Sequence, residues 1–275
     1  MGHLALTAKL DILESVRARW FFVYSLIFGG IVAAFFAFGI TESRVLGFMG
    51  LSRLLVTYIQ LAMAIMPIFI LLTTVRSVAG DREAGVYEYL LSLPISLSNW
   101  YWGRIVGRFA TVFFPVFFAM LGAALWATYK EIDVPWRMFG IYTGQLAAMS
   151  WCFLGLGMLL STFARSTDVA QGSAFVLWLT CLLFLDLILL GVLIQGRMPA
   201  EGVVAIALLN PLQVFRTGAL MLFDPQLVVF GPAAFVIYDY FGGPNFIIYS
   251  MAYPTFLGTV AAGIGYFNFR RGDLV

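Results

Sequence analysis

The chain contains six stretches of mostly apolar residues, each about 20 residues or longer, and this pattern limits its fold more than any other feature. A helix of that length crosses the hydrocarbon core of a bilayer, whereas an unclosed strand would leave backbone groups unpaired in lipid. We therefore predict an all-α integral membrane protein with six transmembrane helices. The predicted spans are Trp20 to Ile40, Leu54 to Val75, Phe109 to Tyr129, Met138 to Phe163, Val169 to Leu193 and Phe246 to Phe267.

The composition supports a lipid environment for most of the chain. Of its 275 residues, 62% are apolar and 11% are charged, whereas a soluble domain is about 45–50% apolar and about 25% charged. A soluble core of this size cannot bury so much apolar surface. Cys152 and Cys181 both lie within apolar runs, so we interpret them as small hydrophobic residues and not as a disulfide or redox pair.

The lysine and arginine residues predict the orientation in the membrane. If both termini are cytoplasmic, the inner segments carry ten of these residues and the outer segments carry six. Cationic residues are enriched in cytoplasmic loops, so we expect a multi-pass protein of the bacterial inner membrane with cytoplasmic N- and C-termini. The formal net charge of +2 indicates no particular polar partner, and we expect no binding to nucleic acid.

Residues 1–19 are predicted to form an amphipathic helix in the inner membrane interface. Leu6, Leu10 and Leu13 recur at helical spacing, with charged residues between them. Such a helix would place its apolar side in lipid and its charges in the headgroup region. A frayed polar tail is the alternative.

Residues 195–245 form a long outer segment before the last predicted span. Its two apolar runs, Val203 to Leu209 and Leu227 to Tyr238, are too short to cross a bilayer, and prolines interrupt the segment. We therefore predict a folded cap of short or re-entrant helices. The alternative is that Leu227 to Tyr238 joins a seventh span, which would place the termini on opposite sides of the membrane.

The sequence excludes several kinds of chemistry. The only lysines are Lys9 and Lys130, and neither lies in a glycine-rich loop, so the chain has no P-loop for ATP. His3 is the only histidine, which excludes histidine-based metal sites and Ser–His or Cys–His catalysis. We therefore expect no enzyme activity, no metal site and no cofactor, and any ATP must be hydrolysed by a separate subunit.

The segment from Asp81 to Ser96 lies in the cytoplasmic stretch 76–104, between the second and third predicted spans. Charged residues come first, Gly85 then permits a tight turn, and an amphipathic stretch follows that ends at Pro94. These features favour a short surface helix that offers charged and apolar side chains to a soluble partner. A solvated loop with cationic residues is the alternative.

This segment resembles the signature of ABC-2 type permeases, the membrane-spanning subunits of a class of ATP-driven transporters. In that signature an acidic residue, a glycine, a leucine pair, a serine and a proline follow the second span. The family usually has threonine after the glycine, where this chain has Val86. The span layout, the N-terminal helix, the long outer segment and the basic end of the chain are similar to the family as well. The matching signature residues are Glu83, Gly85, Leu90, Leu91, Ser92 and Pro94.

The resemblance implies one ABC-2 type transmembrane domain over residues 1–275. It implies a homodimer in membrane lipid, bound by two copies of a separate ATPase. ATP binding would tilt the coupling segments and open an outward path for export. The residues expected to couple the permease to the ATPase are Asp81, Arg82, Glu83, Gly85, Tyr87, Glu88, Leu90, Leu91 and Pro94.

A narrower resemblance is to the permeases of the Nos system, which serve the maturation of nitrous oxide reductase. It rests on chain length, on the N-terminal layout and on Asn210-Pro211 followed by Phe215-Arg216 in the outer segment. It implies a role in assembling the copper–sulfur centre of that reductase, with a periplasmic accessory protein that contacts these four residues. The alternatives are an ABC exporter of lipid, glycan or drug, and a secondary transporter or membrane scaffold.

Asp186 is the one acidic residue deep within a predicted span. A carboxylate near the centre of a span costs about 2.5–3.5 kcal/mol on insertion scales, so it should face the bundle or a wet cavity. We expect Asp186 either to line a translocation path or to make a hydrogen-bonded helix contact, with Gln145 or Arg108 as candidate partners. A proton-coupled secondary transporter should have more ionisable residues in its spans.

Pairs of glycines spaced four residues apart occur at Gly103/Gly107 and at Gly140/Gly144. Small residues at this spacing allow two helices to approach closely. The partner helix can belong to the same chain or to a second copy, and the sequence leaves both alternatives open.

Overall fold

The computed structural model is all-α across the residues it describes, which are 3–17, 23, 26–27, 30, 62–87, 96–129, 131, 134–194, 199–223 and 232–271. Five helices in these ranges are long and apolar enough to cross a membrane, and a sixth is added if one bent pair counts as a span. This confirms the predicted all-α membrane fold. The first predicted span, Trp20 to Ile40, lies almost entirely outside the described residues.

We number the described helices in chain order. The N-terminal helix α1 is His3–Arg17, and the spanning helices α2, α3 and α4 are Ala62–Glu83, Leu97–Tyr129 and Trp136–Phe163. One continuous helical stretch follows, composed of α5 (Thr167–Leu179), a π-helix (Thr180–Phe184) and α6 (Leu185–Ile194). The remaining helices are α7 (Ala200–Ala207), α8 (Pro211–Phe223), α9 (Pro232–Phe241) and the C-terminal span α10 (Gly243–Arg271).

Both helices that flank the cytoplasmic stretch 76–104 are longer than the apolar pattern suggests. Helix α2 continues to Glu83, beyond the predicted end at Val75, and α3 begins at Leu97, three turns before the predicted start at Phe109. Polar and charged residues remain helical here because neighbouring segments accept and donate their hydrogen bonds. Much of the predicted cytoplasmic stretch is therefore a helical extension of two spans.

Helices α4 and α10 are in backbone contact at a pair of glycines. A Cβ atom on Gly155 would lie 2.0 Å from the carbonyl oxygen of Gly258, and a Cβ atom on Gly258 would lie 2.6 Å from the Cα of Cys152. Only glycine fits at both positions. This close crossing forms the centre of the bundle, and the outer helix α8 packs against both α4 and α10.

The N-terminal helix α1 packs along the start of α3. A Cβ atom on Gly103 would lie 2.7 Å from the Cβ of Thr7, and one on Gly107 would lie 2.8 Å from the carbonyl oxygen of Ala8. This glycine pair therefore serves a contact within the chain. Leu10 is 59% exposed on the other side of α1, as expected for a helix whose apolar face is turned to lipid.

The two glycines of the second pair, Gly140 and Gly144, lie in different environments. A Cβ atom on Gly144 would lie 3.0 Å from the terminal methyl of Met251 on α10, whereas one on Gly140 would meet no atom within 4 Å. Gly144 thus also serves packing within the chain. Gly140 leaves open space beside α4.

Part of the outer segment folds back into the bundle. Helices α7 and α8 are long and apolar enough to cross a membrane only when taken together, and they are bent by 104° at the break between them. The carbonyl groups at the bend are satisfied by α10, since the hydroxyl of Tyr249 donates to Leu208 at 3.0 Å and that of Tyr253 donates to Leu209 at 2.5 Å. Helix α8 is therefore held in a buried position after a sharp bend, as in a broken span or a re-entrant loop, and we call it the re-entrant helix.

Candidate functional site

The C-terminal end of α2 is attached to α4 through one serine. The Oγ of Ser161 accepts from the backbone N–H groups of Val78 and Ala79, at 2.9 and 3.1 Å, and donates to the carbonyl of Val75 at 2.6 Å. Ser161 is fully buried. Its hydroxyl replaces backbone partners at the irregular turn of α2 at Val75 and holds the last turns of α2 against α4.

The next residues attach α2 to the start of α5. The Nη1 of Arg82 donates to the carbonyl of Ala164 at 3.0 Å. The carboxylate of Glu83 accepts from the backbone N–H of Thr167 at 3.1 Å and from its hydroxyl at 2.6 Å. A carboxylate at the N-terminal end of a helix is stabilised by the unpaired N–H groups there, so Glu83 caps α5 from a distant part of the chain.

A chain of ion pairs joins α1, α2 and α3. Arg104 on α3 pairs with Asp81 at 2.6 Å, and it lies 3.9 Å from Asp11 on α1. Arg108, one turn further along α3, pairs with Asp11 at 3.3 Å and donates to the carbonyl of Thr73. The two arginines thus connect the end of α2 to the N-terminal helix.

Asp11 and Arg104 are members of this cluster that sequence reasoning missed. Burial raises the pKa of the Asp11 carboxyl above its ordinary value, while the positive charges of Arg108 and Arg104 act in the opposite direction. The available signal was the spacing of Arg104 and Arg108, which places both on one face of a helix. A single acidic residue on a separate helix could not be matched to that face from the sequence.

Tyr87 is an internal anchor. It is 2% exposed, and its hydroxyl donates to the carbonyl of Val78 at 2.9 Å. Its ring lies 5.7 Å from that of Trp100 and 5.5 Å from that of Phe269. Tyr87 therefore fixes the segment to α3 and to the end of α10, and its role in coupling stays a prediction.

Gly85 forms an exposed turn at the end of α2. Its φ is +66°, a left-handed conformation that favours glycine, and no atom lies within 4 Å of the position a Cβ would occupy. The turn therefore protrudes from the bundle with free space around it. The predicted coupling residues Glu88, Leu90, Leu91 and Pro94 lie outside the described residues.

The membrane carboxylate of Asp186 contacts the re-entrant helix. Both of its oxygens accept from the Nε2 of Gln213 on α8, at 2.5 and 2.6 Å. The partners expected from the sequence are wrong, because Gln145 bonds to Ser250 at 2.9 Å and Arg108 pairs with Asp11. Asp186 is half-buried and forms a hydrogen-bonded helix contact.

Asn210 binds the π-helix and caps α8. Its Nδ2 donates to the carbonyl of Cys181 at 2.6 Å, and its Oδ1 accepts from the N–H of Leu212 at 3.1 Å. Asn210 is 2% exposed, Phe215 is fully buried, and Pro211 is buried as well. These three side chains are buried within the chain, and their contact with a periplasmic protein stays a prediction. Arg216 is half-buried.

The outer segment has a cleft of about 560 Å³ between α7, α9 and α10. Its lining is mostly apolar, with Glu201, Tyr240 and Tyr249 contributing polar groups. Tyr240 is 74% exposed. This cleft is a surface on the outer segment that another molecule can reach.

Within the part of the chain that the structure describes, no group of three or more His, Cys, Asp or Glu side chains is placed to hold a metal ion. Cys152 and Cys181 are both buried, and both are free thiols. The described site is therefore a set of hydrogen bonds and ion pairs between helices, which can transmit movement.

Known proteins are similar to this chain over most of its length. The family described as "ABC-2 family transporter protein" matches residues 5–274. The "Probable ABC transporter permease protein NosY" of Stutzerimonas stutzeri is 26% identical over 215 residues, which cover 76% of this chain and 78% of the relative. The protein of the same name from Pseudomonas aeruginosa is 27% identical over 226 residues, covering 79% of this chain and 81% of the relative.

Proposed function

The chain belongs to the ABC-2 family of transporters, as a membrane-spanning permease subunit, and from this we propose that it couples a separate ATPase to the export of a substrate across the bacterial inner membrane. The working unit is a homodimer that binds two copies of the ATPase on its cytoplasmic side. The N- and C-termini lie in the cytoplasm, as the distribution of cationic residues favours.

The attachment of the end of α2 to three other spans carries this proposal. Ser161 binds it to α4, Glu83 binds it to α5 and Arg104 binds it to α3. A force applied to the exposed turn at Gly85 is therefore distributed over four spanning helices at once. Coupling in an ATP-driven permease requires a surface of this kind. When a partner pushes on the end of α2, the attached helices move with it.

The two relatives support a narrower proposal about the pathway. Both are named NosY permeases, and the Nos system serves the maturation of nitrous oxide reductase. We propose that this chain takes part in assembling the copper–sulfur centre of such a reductase. With His3 as the only histidine and two separate, buried cysteines, the chain offers no relay for copper itself. The cargo is then a sulfur-containing species. The alternative is that the transporter performs mechanical work on a partner protein in the periplasm.

The outer cleft supports the docking of a periplasmic accessory protein. Exposed tyrosines such as Tyr240 act as anchors at interfaces between proteins. The same aromatic residues are found in the belts that position membrane proteins in the headgroup region. A Tyr240→Ser variant tests the docking, because it should weaken capture of the accessory protein without changing ATPase binding.

Affinity purification in mild detergent tests the core of the proposal. The tagged chain should co-purify with an ATPase subunit that contains a P-loop, in equal amounts, and the ATPase activity of the complex should exceed that of the free subunit. A chain that purifies alone, and transports in vesicles under a proton gradient without ATP, contradicts the proposal and favours a secondary transporter.

Deletion of the gene in its host tests the pathway. The reductase should still be made and exported but should lack its copper–sulfur centre, as seen in its absorption spectrum. A deletion strain that reduces nitrous oxide at the normal rate contradicts the role in maturation. That result leaves an ABC exporter of lipid, glycan or drug as the function.

A further inference from the structure

We propose that Asp186, Gln213 and Asn210 form a latch that holds the re-entrant helix α8 against the π-helix, and that this latch opens during each transport cycle. The inference rests on the proposed transport function. It adds a conformational device that neither the family nor the relatives assign to these residues.

Two contacts connect the start of α8 to the same short part of the fifth span. Asn210 donates to the carbonyl of Cys181, which lies within the π-helix. Gln213 donates to both oxygens of Asp186, which lies just after the end of the π-helix. One contact lies at the bend between α7 and α8, and the other lies in the first turn of α8. They therefore act together, and a change in either helix disturbs both.

The π-helix makes this contact able to switch. A π-helix is rare, is commonly a short insertion within an α-helix, and is frequent at functional sites. The π turn contains one residue more than an α-helical turn, and an α-helix turns by about 100° per residue. Conversion of the π turn into α-helix would therefore rotate α6 relative to α5 by roughly 100°. Asp186 follows the π turn and would then point away from Gln213. The latch and the π-helix therefore stabilise each other.

The chemistry of the pair indicates what opening requires. Both oxygens of Asp186 accept hydrogen bonds from one amide nitrogen. A carboxyl group without a polar partner is unfavourable in a bilayer. The open latch therefore needs water or a polar part of the substrate beside Asp186, so that opening occurs only when a polar path forms.

Helix α8 is buried firmly enough that opening needs a driving force. A Cβ atom on Gly218 would lie 2.6 Å from the Cβ of Ser250 and 2.7 Å from the Nε2 of Gln145, so this helix fits closely against α10 and α4. Thermal motion alone is resisted by that packing. ATP binding at the cytoplasmic side is the source of work in the proposed transporter.

The experiment uses the complete transporter, permease with ATPase, in lipid nanodiscs. Cys181 is 8% exposed within the π-helix and reports on the latch through its rate of modification by N-ethylmaleimide, in a Cys152→Ala background. We expect slow modification without nucleotide and a rate about tenfold higher with a non-hydrolysable ATP analogue, as for a shift between two populated states.

Four variants separate a latch from an ordinary structural contact. Gln213→Glu faces Asp186 with a second carboxylate, and Gln213→Asn is a milder change that shortens the amide; both should give fast modification without nucleotide. The double variant Asp186→Asn/Gln213→Glu exchanges the amide and the carboxylate, and it should restore slow, nucleotide-dependent modification. Gln171→Glu adds the same charge elsewhere on this span and should behave as wild type.

The idea is overturned if wild type and Gln213→Asn show equal modification rates, each independent of nucleotide, while ATPase activity remains coupled to transport. It is also overturned if Cys181 is modified as fast in the double variant as in Gln213→Glu. Both results leave the proposed transport function in place. Failure of the purified permease to bind or stimulate any ATPase counts against the proposed function instead, and is detected before any thiol is labelled.

Discussion

Single residues around the C-terminal end of α2 act mainly by joining segments that are far apart in the sequence. Glu83 lies at the end of α2 and bonds to Thr167 at the start of α5, and Ser161 contributes one hydroxyl that serves three backbone groups of α2. In both cases one polar side chain replaces the hydrogen bonds that a helix end lacks. Movement of α2 relative to α4 or α5 therefore has to break these hydrogen bonds, which are buried at Ser161 and exposed at Glu83.

Substitution of Gly85 should separate folding from coupling. Valine at a φ of +66° should be disfavoured by about 1–2 kcal/mol, because a β-branched side chain is strained in the left-handed region. Asparagine adopts that region more easily. We expect Gly85→Val to insert and dimerise but to lose substrate-stimulated ATPase activity, and Gly85→Asn to retain most of it. Activity is measured in nanodiscs with the ATPase bound.

Gly122→Ala is the matched control for Gly85→Val. It places a methyl group on α3, where no atom lies within 4 Å of the added carbon, so it should leave both folding and activity unchanged. Equal, fully coupled activity in Gly85→Val and Gly122→Ala would contradict a role for this turn in coupling.

At the scale of helices, the sequence predicted the positions of the helices better than the contacts between them. The apolar runs identified α4 and α10 closely, because span length and hydropathy are properties of a local window. Helix α8 was missed as a separate helix, since its interior position depends on contacts with residues far away in the sequence. Asn210 reaches a residue 29 positions away, and Gln213 reaches one 27 positions away. Gly85 and Glu83 were predicted from a local motif, whereas the role of Asp11 depends on two arginines in another helix.

The docking of α1 on α3 gives a prediction for a whole element. A Cβ atom on Gly107 would lie 2.8 Å from the carbonyl oxygen of Ala8 and 2.9 Å from the Cβ of Asp11. Gly107→Leu should therefore displace α1 and disturb the pairing of Asp11 with Arg108, at a cost of about 1–3 kcal/mol for overpacking. The expected results are a lower melting temperature in detergent and faster proteolysis within residues 3–17.

Gly122→Leu provides the control on the same helix. Its side chain would extend into open space beside α3, so the melting temperature and the rate of proteolysis should match those of wild type. A Gly107→Leu protein as stable and as resistant as Gly122→Leu would show that α1 does not depend on this contact.

For the molecule as a whole, the described residues place a cluster of ion pairs and the polar contact of Asp186 in different parts of the spans. The ion pairs of Asp11, Asp81, Arg104 and Arg108 lie at one end of the described spans, close to the junction of α2 with α5. The latch of Asp186 and Gln213 lies toward the other end, where α7 to α9 form the outer segment. Close glycine contacts between α4 and α10 occupy the region between them, and a rigid centre of this kind can carry movement from one end to the other.

The orientation of the molecule gives the final prediction. If the end that contains the ion pairs is cytoplasmic, as ten inner against six outer cationic residues suggest, then Ser96 faces the cytoplasm and Ser43 faces the periplasm. In a Cys152→Ala/Cys181→Ala background, Ser43→Cys should be modified by a membrane-impermeant maleimide in intact spheroplasts, and Ser96→Cys only after the membrane is permeabilised. Ser96 is exposed at the start of α3, so protection of Ser96→Cys in intact cells would reflect the membrane and not burial. Modification of Ser96→Cys from outside would invert the topology and place the proposed ATPase-binding surface on the wrong side of the membrane.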